Sequence, residues 1–145
     1  MSTIAYKAGV LAADTLAYGG KYLSPPGLKH KIRRLKDGTR IGVCTSIVGT
    51  SERFMSWVEA GADPAAWLGE KPDLQALMIR PNGDAFLATD GLYFSGPIEM
   101  TAWAIGSGSD FAIGAMAMGA SAAEAVQIAA QFDRHSGGRI EPLEA

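Results

Sequence analysis

The sequence has little cysteine and no excess of positive charge. Cys44 is the only cysteine among the 145 residues, which excludes an intramolecular disulfide and favours a reducing compartment such as the cytoplasm. No Cys and His residues stand at zinc-binding spacing, so neither a metal nor another cofactor is predicted. The 13 Lys and Arg residues against 15 Asp and Glu residues give a formal net charge of −2. This balance argues against a nucleic-acid-binding protein.

Long hydrophobic runs are absent as well. The longest apolar stretch, residues 111–123, is shorter than the ~20 residues that span a bilayer. Residues 1–7 lack the basic segment and apolar core of a signal peptide. We therefore expect a cytoplasmic protein with no membrane association. Its length and its 48% apolar content predict a single domain over residues 1–145.

Turns that contain glycine predict the strand pairs. Extended runs flank Ala8-Gly9 (residues 2–7 and 10–15), Asp37-Gly38 (31–35 and 39–44) and Asn82-Gly83 (74–79 and 85–89). Residues 92–94 and 101–105 predict two more strands. The segment 19–27, with its Gly-Gly and Pro-Pro pairs, predicts a loop.

Three helices are predicted between and after these strands. The first covers residues 51–60 with Thr50 or Ser51 as its cap, and the second covers 109–118 and stops at Gly119. A capping box at residues 121–124 begins the third, which is predicted to end at residues 137–138, before a closing strand at 139–143. This order predicts an α+β fold. It allows two antiparallel sheets with outer helices, or one sheet with helices on one side.

Several polar residues are candidates for a site, although none is specific alone. Ser2 follows Met1 and is small enough to permit removal of that methionine, which would leave an α-amine and a hydroxyl on one residue. An α-amine with a pKa of about 7.7–8.0 can act as a general base at neutral pH. Most Met-Ser starts have no such role. Asp14 ends an apolar run and could be a turn residue, and Lys31 lies in an alternating strand and could face solvent.

Two later segments complete the candidate set. Ser107 lies in a glycine-flanked turn before a helix and could be only a cap, and the run 133–138 could be only a helix end. In chain order, however, five blocks resemble the catalytic blocks of proteasome β-type subunits and of the bacterial peptidase HslV. The blocks are Ser2-Thr3-Ile4, residues 9–14 (GVLAAD), 31–35 (KIRRL), 104–108 (AIGSG) and 133–138 (DRHSGG). The resemblance implies a four-layer αββα sandwich of the N-terminal-nucleophile hydrolase type.

The resemblance also implies a role for each residue. Ser2 takes the place of the family's N-terminal threonine, with its hydroxyl as the nucleophile and its α-amine as the base. Lys31 would stabilise the alkoxide, and Asp14 would keep Lys31 charged. Hydrogen bonds around the amine would come from Ser107, Asp133 and Ser136. A backbone N–H in residues 45–47, with Ser46 as our choice, would form the oxyanion hole. The substrate pocket would include Lys29, Cys44 and Thr45, and Lys29 would favour acidic groups.

The match to the family is incomplete at several positions. Serine replaces threonine as the nucleophile, and Thr3 is the alternative, ranked lower because a shift of one residue reverses the strand's facing. Residues 44–49 lack the family's glycine-rich pattern at the oxyanion segment, and the following helical hairpin is shortened. If Met1 stays in place, the amine is blocked. His30 and His135 are given no catalytic role, and the three tryptophans are assigned to the core or to an interface.

The function implied is amide-bond hydrolysis in peptides or unfolded proteins. The same resemblance implies a homo-oligomer, with ring formation left open, and an ATP-dependent unfoldase as a partner. Two alternatives remain at this point. One is a non-catalytic assembly subunit of a proteasome-like complex, which the altered oxyanion segment favours. The other is a small-molecule amidase of the same fold, which the shortened helical pair favours.

Overall fold

The computed structural model describes residues 2–17 and 28–145. Its strands are β1 Ile4–Lys7, β2 Val10–Ala13, β3 Ile32–Arg34, β4 Arg40–Cys44, β5 Gln75–Ile79, β6 Ala85–Thr89, β7 Ser95–Ile98, β8 Ala102–Ile105 and β9 Glu141–Leu143. Its helices are α1 Thr50–Glu59, α2 Ser109–Ala117 and α3 Ala122–Phe132, with a 3-10 turn at Pro64–Ala66. The loop predicted at 19–27 lies outside the described residues.

The strands form two antiparallel sheets. The first has the order β8-β1-β2-β9 and the second the order β3-β4-β5-β6-β7. The glycines of the predicted turns have positive φ, with Gly9 at 83°, Gly38 at 88° and Gly83 at 92°, a region that glycine enters without steric cost. The α+β prediction with two antiparallel sheets is therefore confirmed.

Each sheet packs on both faces. Between the two sheets lies a buried apolar cluster that includes Ile4, Leu11, Leu77, Ile79 and Ile105. Because strand side chains alternate, the small residues on the other face of the first sheet meet α2 and α3 in a cluster rich in alanine. The second sheet packs its other face against α1, around Phe54 and two tryptophans. The two sheets thus pack against each other, and each has one or more helices on its other face.

Three details differ from the sequence predictions. The strand expected at 92–94 is found at Ser95–Ile98, a segment whose glycine and proline do not predict a strand. Because β7 is the edge strand of its sheet, it tolerates Pro97. Helix α1 is capped by Gly49 without a side-chain hydrogen bond, so the predicted cap at Thr50 or Ser51 is wrong. Helix α3 ends at Phe132, five residues before the predicted glycine stop, although its capping box at Ser121 is confirmed.

The remaining predictions concern the tryptophans and the membrane. Trp57 and Trp67 are buried, which confirms core positions for these two, whereas Trp103 is 39% exposed and its place at an interface stays a prediction. Over residues 2–17 and 28–145, no helix has the length and apolar character needed to cross a bilayer.

Candidate active site

The site begins where β1 and β8 lie side by side. Their antiparallel register places Ile4 opposite Ile105, so Ser2 lies opposite Ser107 just beyond the strand ends. The backbone nitrogen of Ser2 donates to Ser107 Oγ at 3.2 Å, and Ser107 Oγ also lies 3.4 Å from the Ser2 carbonyl oxygen. The nitrogen that would become the α-amine therefore contacts the predicted serine. Met1 lies outside the described residues.

Asp133 joins the two predicted serines. Its Oδ2 accepts hydrogen bonds from Ser107 Oγ at 2.7 Å and from Ser136 Oγ at 2.5 Å, and its Oδ1 accepts from the His135 backbone at 3.2 Å. Burial raises the pKa of Asp133, but the hydrogen bonds from Ser136 and Ser107 outweigh it, so that the pKa is lowered below 3.8. The carboxylate is thus ionised at neutral pH, and the two hydroxyls are oriented by donating to it.

A buried ion pair lies beneath Ser2. Lys31 Nζ is 2.9 Å from Asp14 Oδ2, and the two side chains are 3% and 0% exposed. Asp14 also accepts hydrogen bonds from the backbone nitrogens of Thr3 at 2.9 Å, Gly137 at 3.0 Å and Leu16 at 3.3 Å. The carboxylate therefore fixes Lys31 and at the same time joins the start of β1 to the loop after α3.

The same contacts distinguish Ser2 from Thr3. The hydroxyl of Thr3 is fully buried and lies 2.7 Å from Ser136 Oγ, while its backbone nitrogen is held by Asp14. Ser2 lies near the Cys44 thiol at the bare backbone of Gly106, because a Cβ on that glycine would be 2.8 Å from the Ser2 carbonyl carbon and 3.0 Å from Cys44 Sγ. Burial raises the pKa of this thiol to about 12, and the nearby Lys31 opposes the rise. Thr3 is therefore bound through both its hydroxyl and its nitrogen in the interior, whereas Ser2 lies beside the end of β4.

A cavity of about 350 Å³ opens beside this cluster. One wall carries Cys44, Thr45 and Ser46 from the end of β4, and another carries Gly106 and Ser107 from the end of β8. Two of the predicted pocket residues, Cys44 and Thr45, and the predicted oxyanion residue Ser46 thus meet at one cavity. Gly106 has φ of 96°, and a Cβ there would lie 2.1 Å from the Ser2 carbonyl oxygen, so only glycine fits.

Lys29 is not among the residues that line this cavity. Its Nζ forms an ion pair with Glu52 of α1, and that hydrogen bond is the main cause of a lowered pKa of Glu52. The charge that was predicted to favour acidic groups is therefore already paired. His30 likewise pairs with a carboxylate, that of Glu141, at 2.7 Å.

Sequence reasoning missed the acidic wall of the cavity. Asp73 and Asp90 lie on it, and a hydrogen bond between their carboxyl groups raises the pKa of Asp73. Gln75 also lines the cavity, and its Oε1 accepts a hydrogen bond from the Gly106 backbone nitrogen at 2.9 Å. The available signal was the strand register, because β5 begins beside the end of β4 and β6 ends beside the start of β5.

The described part of the chain contains no group of three or more His, Cys, Asp and Glu side chains that could hold a metal ion.

The sequence matches no family model and no curated protein. Solved structures do match. BPH of Thiobacillus denitrificans in complex with epoxomicin has a TM-score of 0.70 and 21% identity over 98% of this chain and 96% of that chain. A second structure of Thiobacillus denitrificans BPH has a TM-score of 0.67 and 21% identity over 98% of this chain and 95% of that chain.

HslV from Trypanosoma brucei has a TM-score of 0.70 and 18% identity over 99% of both chains. The chain has the HslV fold. The resemblance stated from the sequence is thus confirmed for the fold over nearly the whole chain. At these identities the likeness concerns the HslV fold alone, so that the chemistry rests on the side chains described above.

Proposed function

We propose that this chain is an N-terminal-nucleophile peptidase, with a four-layer αββα sandwich, whose nucleophile is Ser2 after removal of Met1. One observation carries the proposal. Side chains from separate segments of the sequence meet around Ser2: Ser107 accepts a hydrogen bond from its nitrogen, and Asp14, paired with Lys31, accepts one from the nitrogen of the next residue. Chain folding alone does not require a lysine and an aspartate that are both almost fully buried at this point.

The reaction would proceed through an acyl-enzyme. Ser2 Oγ attacks the carbonyl carbon of an amide, and the Ser2 α-amine takes the hydroxyl proton through a water molecule. The amine then returns a proton to the leaving nitrogen as the C–N bond breaks, which leaves an ester on Ser2 Oγ. Water, deprotonated by the same amine, hydrolyses this ester and releases the carboxylic acid. Lys31 stabilises the developing alkoxide as a cation that Asp14 holds in place.

The environment of the amine follows from the hydrogen bonds. Ser107 would orient the amine through its Oγ, and Asp133 would orient Ser107 and Ser136 in turn. In the oxyanion segment, the Ile47 N–H already donates to Thr45 Oγ1 at 3.1 Å. We therefore assign the oxyanion hole to the N–H of Ser46, with that of Thr45 as its neighbour. Removal of one such donor costs about 10²–10³ in rate in a comparable enzyme.

Self-association and partners form part of the same proposal. Three apolar side chains on α2, at its end and on α3 are exposed: Phe111 at 44%, Met118 at 89% and Phe132 at 66%. Burial of such a surface against a second copy would be favourable, which supports a homo-oligomer, for which a cytoplasmic location is proposed from the sequence. Peptides or unfolded proteins would be the substrates, delivered by an ATP-dependent unfoldase if a closed chamber forms. Light scattering of the native protein tests for the oligomer, and a monomer would favour an open amidase.

The test of the nucleophile uses intact mass and a covalent probe. Native protein should lack Met1, and epoxomicin, an epoxyketone that can react with both the hydroxyl and the α-amine, should label the N-terminal peptide. Ser2→Ala is the matched control, because alanine also permits removal of Met1 but has no hydroxyl. We expect no labelling of Ser2→Ala and labelling of Ser2→Thr. If Met1 is fully retained, or if trimmed protein stays unlabelled, the assembly-subunit function is favoured instead.

A further inference from the structure

Gln75 joins the two walls of the cavity beside Ser2. It is the first residue of β5, where its backbone lies opposite Cys44 of β4 on one side and Thr89 of β6 on the other. Its side chain reaches towards the other sheet, and its Oε1 accepts a hydrogen bond from the Gly106 backbone nitrogen at 2.9 Å. A residue of the central strand of the second sheet thus binds the turn that follows β8 in the first sheet.

The turn that Gln75 binds lies at the edge of its sheet. Gly106 follows β8, and no strand of residues 2–17 and 28–145 pairs with the outer side of β8. Glycine has the greatest backbone freedom of all residues, so contacts from outside have to fix its conformation. The hydrogen bond to Gln75 is one such contact. Another is the hydrogen bond that the Ser109 nitrogen donates to the Gly106 carbonyl oxygen at 3.1 Å.

The position of Ser107 depends on this turn. Its Oγ lies 3.2 Å from the Ser2 nitrogen, at the upper end of the usual range for an N–H···O hydrogen bond. A separation larger by about 0.4 Å would break the contact. Because Ser107 directly follows Gly106, the hydrogen bond to Gln75 determines where the Ser107 hydroxyl meets the nitrogen that would become the α-amine.

The opposite wall is held by the same segment of the chain. Thr45 Oγ1 donates to the Asp73 carbonyl oxygen at 2.9 Å, which fixes the segment that carries Ser46. Ser46 and Ser107 both line the cavity. Residues 73–75 therefore bind both walls and set the separation between the proposed oxyanion donor and the hydroxyl that orients the amine.

We propose that Gln75 is a positioning residue, whose amide oxygen fixes the Gly106–Ser107 turn against β5 so that Ser107 Oγ stays on the Ser2 nitrogen. This inference rests on the proposed function of Ser2. It predicts that Gln75 acts on the reaction through Ser107, and that its acceptor oxygen is the group required. A side chain that only fills the wall of the cavity would act independently of Ser107.

The test measures the rate at which epoxomicin labels the N-terminal peptide of trimmed, full-length protein, as a function of epoxomicin concentration. Gln75→Met has a similar length but no acceptor. We expect it to lower the saturating rate roughly 3- to 10-fold, the rate equivalent of one neutral hydrogen bond. The half-saturating concentration should not change, because Gln75 acts on the amine and not on the bound inhibitor.

Gln75→Glu keeps an acceptor oxygen and should restore the rate. The comparison is made at about pH 9, above the usual α-amine pKa of about 7.7–8.0, so that the added negative charge does not alter the protonation of the base. There we expect a saturating rate within about 2-fold of wild type.

A double-mutant cycle with Ser107→Ala determines whether the two residues act together. In the Ser107→Ala background, Gln75→Met should change the saturating rate by less than about 2-fold, because the hydroxyl that Gln75 positions is already absent. Gln127→Met is the matched control. Gln127 is an exposed glutamine on α3, and its replacement should leave the labelling rate unchanged. If Gln75→Met folds poorly, Gln75→Thr, a strand-forming residue whose side chain is two bonds shorter, should show the same loss.

Three results would overturn the inference about Gln75. The first is an unchanged saturating rate in folded Gln75→Met or Gln75→Thr, and the second is an equal loss with and without the Ser107 hydroxyl. The third is a rate in Gln75→Glu as low as that in Gln75→Met. All three differ from failure of the proposed function, in which trimmed wild-type protein would not be labelled at all.

Discussion

Asp14 and Lys31 form a buried ion pair, and substitutions of the two residues should affect stability and reactivity differently. Asp14 accepts four hydrogen bonds, of which Lys31 supplies one and backbone nitrogens supply three. Replacement of Lys31 by methionine leaves the carboxylate with its three backbone donors. Replacement of Asp14 by alanine removes the acceptor of all four donors at once. The two substitutions therefore break the same pair with different costs.

The magnitudes follow from that asymmetry. Loss of Asp14 removes the acceptor that a buried ammonium and three N–H groups share, and we expect Asp14→Ala to cost about 3–5 kcal/mol of the free energy of unfolding. Lys31→Met should cost about 1.5–3 kcal/mol, the range for a hydrogen bond to a charged group. With a urea slope of about 2 kcal/mol per molar, the two ranges correspond to midpoint shifts of about 1.5–2.5 M for Asp14→Ala and about 0.75–1.5 M for Lys31→Met.

Lys31→Met, the less destabilised of the two variants, should nevertheless lose most of its reactivity. Folded Lys31→Met has lost the cation that stabilises the alkoxide, so we expect its epoxomicin labelling to fall at least 100-fold, the effect of losing one preorganised electrostatic group. Arg40→Met is the matched control. Arg40 is a second buried cation at the far end of β4, where it donates to the backbone carbonyls of Gly9 and Leu143. It should lower stability without changing the labelling rate of the folded protein.

The assay is urea unfolding followed by circular dichroism, together with labelling measured under native conditions. The reasoning is refuted if Lys31→Met is destabilised more than Asp14→Ala, or if folded Lys31→Met is labelled at the wild-type rate. The first outcome would mean that the backbone donors do not support the carboxylate. The second would remove Lys31 from the proposed chemistry.

Three further predictions follow. Asp73→Asn combined with Asp90→Asn should lower the preference for substrates with basic over uncharged side chains about 2- to 5-fold per carboxylate, measured as a ratio of kcat/KM. Gly106→Ala should abolish labelling, because its Cβ would lie 2.1 Å from the nucleophile's carbonyl oxygen, whereas Gly83→Ala, equally strained but in open space, should not. Asp133 has a lowered pKa when folded, so its stabilisation is present above about pH 4 and lost as pH falls through that lowered value. Urea midpoints of wild type and Asp133→Asn should therefore converge below pH 4.

Each of these has a clear contrary result. An unchanged substrate ratio in the double variant would separate the acidic wall from substrate binding. Labelled Gly106→Ala would show that the Ser2 backbone can move without loss of function. A difference between wild type and Asp133→Asn that stays constant from pH 6 to pH 3 would mean that Asp133 does not titrate with a lowered pKa.

The hairpins could be predicted because their turns are specified locally. Gly9, Gly38 and Gly83 all require positive φ, and each lies between two runs of strand-forming residues. Strand β7 could not be predicted in the same way. Its sequence Ser-Gly-Pro-Ile has no alternation, and it is a strand only because β6 offers an edge for pairing.

Part of the candidate site could likewise be predicted from the sequence, and part could not. Ser2, Asp14, Lys31, Ser107, Asp133 and Ser136 were selected from the sequence through the resemblance, and the structure brings all six into one hydrogen-bonded cluster. Their roles remain predictions. The acidic pair was missed because Asp73 precedes β5 and Asp90 follows β6, so that they are distant in sequence. They become neighbours only when β5 and β6 pair in the correct register. The approach of Cys44 and the Ser2 backbone to Gly106 was missed because it involves two different sheets.

The nucleophile assignment shows why register matters more than residue type here. Ser2 and Thr3 both carry hydroxyls, and threonine is the family's usual nucleophile. The pairing of β1 with β2 places Thr3 opposite Asp14, so the threonine backbone is fixed by that carboxylate and its hydroxyl meets Ser136. A change of nucleophile to Thr3 would require β1 to slip by one residue, which would move Ile4 out of the core between the sheets. The cost of exposing that isoleucine, about 1.5–3 kcal/mol, opposes the slip and favours Ser2.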